Sequence, residues 1–173
     1  LVVRAPNWLG DIVMSLPALE AVRRHFSDAA LAVAAPAGLA AFYKAVPGVD
    51  EIVPLPSSGG WRGLAAHAAA LRAGRFDTAI LLTNSFSTAW VAWRAGVAER
   101  WGYRRDLRGL LLTRAVSRRA AVGPASRHQA DYYRRLVEAL GMPSEPGVPA
   151  LVVPDTWRAR SDALLVNAGL DPS

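Results

Sequence analysis

The sequence predicts an α/β fold in which a mostly parallel sheet is flanked by helices. Short apolar runs alternate with helical patterns from one end of the chain to the other. The strongest run, Asp77 to Thr83, is apolar without alternation at Ala79-Ile80-Leu81-Leu82, as a strand covered on both faces must be. A chain of 173 residues, 52% hydrophobic and 20% charged, is long and apolar enough to bury one real core.

Each element has its own signal. Leu1 to Ala5 reads as a buried strand. Asp11 to Phe26 follows as a helix with Ile12, Leu16, Leu19, Val22 and Phe26 on one face, and Pro17 is expected to kink it or to confine its regular part to later residues. Leu31 to Ala35 is a second strand, and Gly38 to Val46 a short helix stopped by Pro47-Gly48. Glu51 to Leu55 is a third strand, Pro56 to Gly60 a loop, and Trp61 to Ala73 a helix ending at Gly74. After the strand Asp77 to Thr83, Ser87 to Ala95 is a helix closed by Gly96, and Glu99 to Tyr103 is another strand. The Arg-rich region up to Arg127 reads as loop-dominated. His128 to Leu140 is an amphipathic helix with Tyr133, Leu136, Val137 and Leu140 inward and Gly141 behind it. A Pro-rich stretch (Pro143, Pro146, Pro149), a short strand Leu151 to Val153, and a helix Trp157 to Asn167 complete the chain.

Composition narrows the chemistry. There is no cysteine, which excludes a disulfide framework, a thiolate metal site and a cysteine nucleophile. The uncharged run Ala29 to Tyr43 has 15 residues and contains Pro36 and Gly38, so it does not form a transmembrane helix of ~20 residues. No basic leader accompanies the first apolar residues, and the expectation is a cytoplasmic domain. The net charge is +6, but Arg94 to Arg135 holds 11 arginines against Glu99, Asp106 and Asp131. That stretch carries +8 and the remainder −2, so the basicity is regional.

Three places could carry chemistry. The turn Pro6-Asn7-Trp8-Leu9-Gly10-Asp11 joins the first strand to the first helix, where open α/β sheets bind ligands. It is neither G-x-G-x-x-G nor a P-loop. It offers a carboxylate, Asp11, at a helix N-terminus, where the macrodipole favours the anion. Asp11 is either a helix cap or a general base able to take a proton from a hydroxyl nucleophile. Asn84 and Ser85, after the strong strand, are either sugar-hydroxyl ligands or the cap of the next helix. Arg100, Arg104, Arg105 and Arg108, with Trp101 and Tyr103 between them, could bind an anionic substrate or phospholipid surface, could bind nucleic acid, or could be a solvated face. His25, His67 and His128 lack metal-pair spacing, and no Asp-x-Asp pair is present to hold a metal diphosphate.

The run Pro6-Asn7-Trp8-Leu9-Gly10-Asp11-Ile12-Val13-Met14-Ser15, followed by Pro17-Ala18-Leu19, resembles the opening of the ADP-heptose:lipopolysaccharide heptosyltransferases, glycosyltransferase family 9. Thr83-Asn84-Ser85-Phe86-Ser87 and Ala95-Gly96-Val97-Ala98-Glu99-Arg100-Trp101-Gly102-Tyr103 resemble later segments of that family, nearest its heptosyltransferase II branch. The resemblance implies the N-terminal, Rossmann-like half of a GT-B glycosyltransferase. Residues 1–154 would form the acceptor-binding domain, and 155–173 a helix and linker toward a C-terminal donor-binding domain. It further implies inverting, metal-independent transfer of heptose from ADP-heptose, with no cofactor, to the Kdo-lipid A inner core of lipopolysaccharide. Asp11 would be the base, and Asn7, Trp8, Asn84, Ser85, Arg100, Arg104 and Arg105 would meet the acceptor. The expected partner is then an anionic glycolipid, with peripheral contact at the inner face of the inner membrane and no nucleic acid. A related transferase with another donor or acceptor, and a stand-alone nucleic-acid-binding module, are the alternatives.

Overall fold

The computed structural model describes residues 1–57, 59–117, 128–145, 147 and 150–171. Six parallel strands run in the order β3-β2-β1-β4-β5-β6. They are β1 (Val2–Arg4), β2 (Ala32–Pro36), β3 (Glu51–Leu55), β4 (Thr78–Leu81), β5 (Glu99–Arg104) and β6 (Arg114–Ser117). The helices are α1 (Leu9–His25), α2 (Ala37–Ala40), α3 (Gly60–Ala73), α4 (Phe86–Arg94), α5 (Gln129–Ala139) and α6 (Asp155–Asn167). The chain winds outward from β1 through β2 to β3, then returns to the other side of β1 for β4. The strand order therefore reverses between β1 and β4, and the connections leaving those two strands part there, which opens a crevice at their carboxyl ends.

Strand alternation divides the core into two layers. Val3, Ala5, Ile80, Leu82 and Tyr103 pack against Ile12, Leu16, Leu19 and Val22 of α1 and Tyr133, Leu136 and Val137 of α5. Val2, Ala34, Ala79 and Leu81 pack on the opposite side against Ala68 and Leu71 of α3 and Ala89 and Ala92 of α4. The inward faces read from the sequence for α1 and α5 are the buried ones. Gly96 and Gly141 follow α4 and α5 with φ of +82° and +91°, the left-handed conformation that ends a helix cheaply only at glycine.

Several expectations change. Helix α1 begins two residues before Asp11 and runs unbroken through Pro17. The N–H that proline lacks would have served the carbonyl of Val13, a residue 41% exposed, so solvent can take that role. The expected helix Gly38 to Val46 divides into the short α2 and a 3-10 turn, Ala41–Ala45. The Arg-rich region contains a 3-10 turn, Asp106–Leu111, and the sixth strand, β6, rather than loop alone. Strand β6 has four residues at the sheet edge and only half-buried Val116 facing inward, too little apolar pattern to announce a strand. Residues 118–127 of that region, and Pro146 and Pro149 of the Pro-rich stretch, lie outside the described residues. Leu151 to Val153 joins no sheet: the Val152 N–H donates to the Ala45 carbonyl at 2.8 Å, and all three side chains face solvent.

Candidate functional site

The carboxyl ends of β1 and β4 and the amino ends of α1 and α4 form one edge. Arg4, the last residue of β1, is buried, and its guanidinium turns back to the following loop. It donates to the Ala5 carbonyl and, at 2.7 Å, to Oδ1 of Asn7. Burial lowers its pKa to about 10, with neighbouring Tyr43 acting the other way, so it is still a cation at neutral pH. Trp8 occupies the N-cap position of α1 with extended backbone, makes no side-chain cap, and is 76% exposed.

Asp11 lies in the first turn of α1, half-buried. Across from it stands Tyr133 of α5. Burial pushes the Tyr133 phenol up to about 12, a hydrogen bond donated by Gln129 at 3.2 Å opposes the shift, and Asp11 adds to it through its charge and a hydrogen bond. The carboxylate thus faces a neutral hydroxyl instead of a competing anion.

Helix α5 contributes a second tyrosine to this edge. Tyr132 stacks at 4.6 Å on Tyr103 and at 5.4 Å against Tyr133, and its carbonyl accepts from the Tyr103 hydroxyl at 2.9 Å. Asn84 links it to the other side of the sheet. Its amide nitrogen donates to the Tyr132 hydroxyl, and its Oδ1 lies 3.4 Å from Nη1 of Arg108. Arg108 is fully buried and donates to the Thr83 carbonyl at 2.7 Å. Burial lowers its pKa to about 10, with Tyr132 opposing, and its Nε and Nη2 have no hydrogen-bond partner among the described residues. Gly102 makes room for it: a Cβ there would stand 3.2 Å from Nη2 and 3.2 Å from the Leu81 carbonyl.

On the α3–α4 side the edge opens into a cavity of about 180 Å³, lined among others by Arg4, Asn7, His67, Leu71, Ser85 and Thr88. Ser85 is the N-cap of α4, accepting from the Thr88 N–H at 3.3 Å. Among the described residues, no group of three or more His, Asp or Glu side chains converges as a metal site.

The glycosyltransferase family 9 (heptosyltransferase) model matches residues 64–166. The chain belongs to glycosyltransferase family 9. Lipopolysaccharide heptosyltransferase 2 of Escherichia coli K12 is 34% identical over 117 residues, covering 64% of this chain and 33% of that protein. Lipooligosaccharide heptosyltransferase 2 of Haemophilus ducreyi is 28% identical over 115 residues, 65% of this chain and 33% of that protein. Among solved structures, a family 9 glycosyl transferase from Veillonella parvula superposes with a TM-score of 0.82 at 22% identity, over 98% of this chain and 49% of that one. The E. coli ADP-heptose lipopolysaccharide heptosyltransferase II superposes at 0.67 with 28% identity, over 95% and 50%. The chain therefore spans about half the length of these solved relatives, and its alignment covers a third of the curated ones.

For this family 9 chain, the structure gathers most of the residues singled out from sequence. Asn7, Trp8, Asp11, Asn84 and Ser85 share the switch-point edge, with Arg104 and Arg105 exposed at the carboxyl end of β5. Arg100 is elsewhere. It is the second residue of β5, in register with Ala79, and its guanidinium donates to the carbonyls of Leu111 at 2.6 Å, Val97 at 2.5 Å and Ala98 at 2.7 Å. Those bonds tie loops together at the amino edge, away from Asp11. Sequence reading missed Arg4, Tyr132 and Tyr133 as members of the edge. A charge closing the apolar run Leu1-Val2-Val3 was the one available signal for Arg4.

Proposed function

We propose that this chain is the acceptor-binding, base-bearing half of an enzyme that transfers heptose from ADP-heptose to the inner core of lipopolysaccharide. The observation that carries the reading is Asp11: a half-buried carboxylate in the first helical turn at the switch point, facing the neutral phenol of Tyr133. Family 9 membership supports the transferase class, and the names of the relatives support the substrates.

In this reading an acceptor sugar hydroxyl hands its proton to Asp11 as its oxygen attacks the anomeric carbon of the donor. The new C–O bond forms on the face opposite the leaving group, the bond to the diphosphate oxygen breaks, and ADP departs with the electron pair. Configuration at the anomeric carbon inverts, and no metal is required. The exposed Trp8 and the polar groups of Asn7, Asn84 and Ser85 border the acceptor, with Arg104 and Arg105 toward its anionic Kdo-lipid A groups. Residues 1–154 form the acceptor domain, and 155–173 lead toward a donor-binding domain. The acceptor lies at the cytoplasmic face of the inner membrane, which the protein touches peripherally.

The test is Asp11→Asn in the full-length enzyme. Transfer is expected to fall by about 10²–10⁴-fold, while the Kd for ADP-heptose is unchanged and chelation of divalent metals leaves the parent enzyme's rate intact. Near-normal turnover by the variant would remove Asp11 from the mechanism, and loss of rate on chelation would remove the metal-independent displacement.

A further inference from the structure

A broad apolar surface runs from the switch-point edge along the outer side of α3 and α4. On α4, Phe86, Trp90 and Trp93 fall at i, i+4 and i+7, one helical face, while Ala89 and Ala92 point into the core. Phe86 and Trp93 are each about half exposed. Trp61, at the start of α3 and 74% exposed, meets Trp90 edge-to-face at 5.6 Å. The 3-10 turn Asp106–Leu111 packs along α4, and side chains three apart eclipse in a 3-10 helix. Arg108 therefore points inward while Leu107 and Leu110 form an outward stripe, the latter 84% exposed.

On the two helices of this surface the charge has one sign, while the 3-10 turn brings one acid, Asp106. Helices α3 and α4 carry Arg62, Arg72 and Arg94, and neither contains a carboxylate. The next acids along the chain, Asp77 and Glu99, are at the amino edge of the sheet, and Glu99 accepts from the Trp101 indole and the Thr113 hydroxyl. Tryptophans exposed beside arginines, on two helices that carry no acid, match the headgroup layer of an anionic bilayer. There indole rings sit at the interface and guanidinium groups meet phosphate. No described helix is long and apolar enough to cross a membrane, so such contact lies along the surface.

We propose that the outer face of α3, α4 and the 3-10 turn docks this protein on an anionic lipid bilayer. This rests on the membrane-borne acceptor reading and adds to it the surface that makes the contact. The test is flotation of the 173-residue chain with vesicles of phosphatidylcholine alone and of phosphatidylcholine mixed equally with phosphatidylglycerol. Neither donor nor acceptor is present, so failure here is separate from failure of the Asp11 assay.

The chain is expected to partition onto anionic vesicles at least about tenfold better than onto neutral ones, and added salt should release it. The pair Arg62→Gln and Arg94→Gln should remove most of that preference, about fivefold per arginine. The pair Trp93→Ser and Leu110→Ser should lower partitioning about tenfold on both vesicle types. All four side chains are at the surface, and circular dichroism should show the fold intact. Equal binding to the two vesicle types, parent-like binding by both double variants, or no flotation would each overturn the proposal. So would a dimer of the chain that the Trp93→Ser, Leu110→Ser pair dissociates, since the face would then belong to a second copy.

Discussion

At the residue scale, a buried phenol beside a carboxylate is a pH-dependent element. Burial, and then Asp11, push the Tyr133 phenol up from the ordinary 10 to about 12. Between about pH 10 and pH 12 the folded chain therefore holds a proton that the unfolded chain has released, and stability falls as pH rises through that window. The difference is worth about 3 kcal/mol when complete. Arg4 and Arg108 act in the opposite sense, since each is lowered from 12.5 to about 10 by burial and loses its proton earlier in the folded chain. Tyr133→Phe is expected to lose less stability than the parent between about pH 10 and about pH 12 in urea titrations. An identical loss would mean the phenol is not held neutral. At this scale the placement of Asn7, Asp11, Asn84 and Ser85 was legible because each lies in a strand-to-helix turn or the first helical turn after it, at the carboxyl edge of an α/β sheet. Tyr132, Tyr133 and Arg108 come from elements remote in sequence, and only folding brings them to Asn84 and Asp11.

At the element scale, α4 and α5 hold the edge by different means. Helix α4 starts at a Ser85 cap whose contacts are exposed, whereas α5 packs Leu136 and Val137, both fully buried, against α1. Ser85→Ala is expected to cost about 1 kcal/mol, and Leu136→Ala about 2–5 kcal/mol. Only the second should also loosen Tyr133 from Asp11. Urea midpoints measure the costs, and the Tyr133 titration reports the coupling; an equal cost for both variants would refute this ranking. Apolar periodicity made α1 and α5 readable from sequence, and an unbroken apolar run did the same for β4. Strand β6 was not readable, because its place depends on the edge of β5: Arg114 lies 4.4 Å over the Trp101 ring, a contact invisible in a four-residue run. Leu151 to Val153 shows the converse, an apolar triplet without a strand edge to join.

At the scale of the whole molecule, charge that clusters in sequence disperses in space among the described residues. Arg100 binds carbonyls at the amino edge, Arg104 and Arg105 stand at the carboxyl edge, and Arg134 pairs with Asp131 and Glu138 on α5. The α3–α4 face has fewer arginines but no opposing acid on either helix, so the linear +8 pointed less clearly to a surface than the spatial arrangement does. Helix α6 is a further case of length without core. None of its 13 residues is buried, and Trp157, Arg160, Ser161 and Leu164 line an open groove together with Ala41. An isolated helix this short is marginal in water. Its amides are therefore expected to exchange with protection factors below about 10², whereas those of β1 and β4 exchange only on global unfolding. Ending the chain after Pro154 should likewise shift the unfolding free energy by no more than ~0.5 kcal/mol. Core-like protection of α6, or a clear loss of stability on truncation, would show that residues 155–173 belong to the folded unit and would move the domain boundary beyond them.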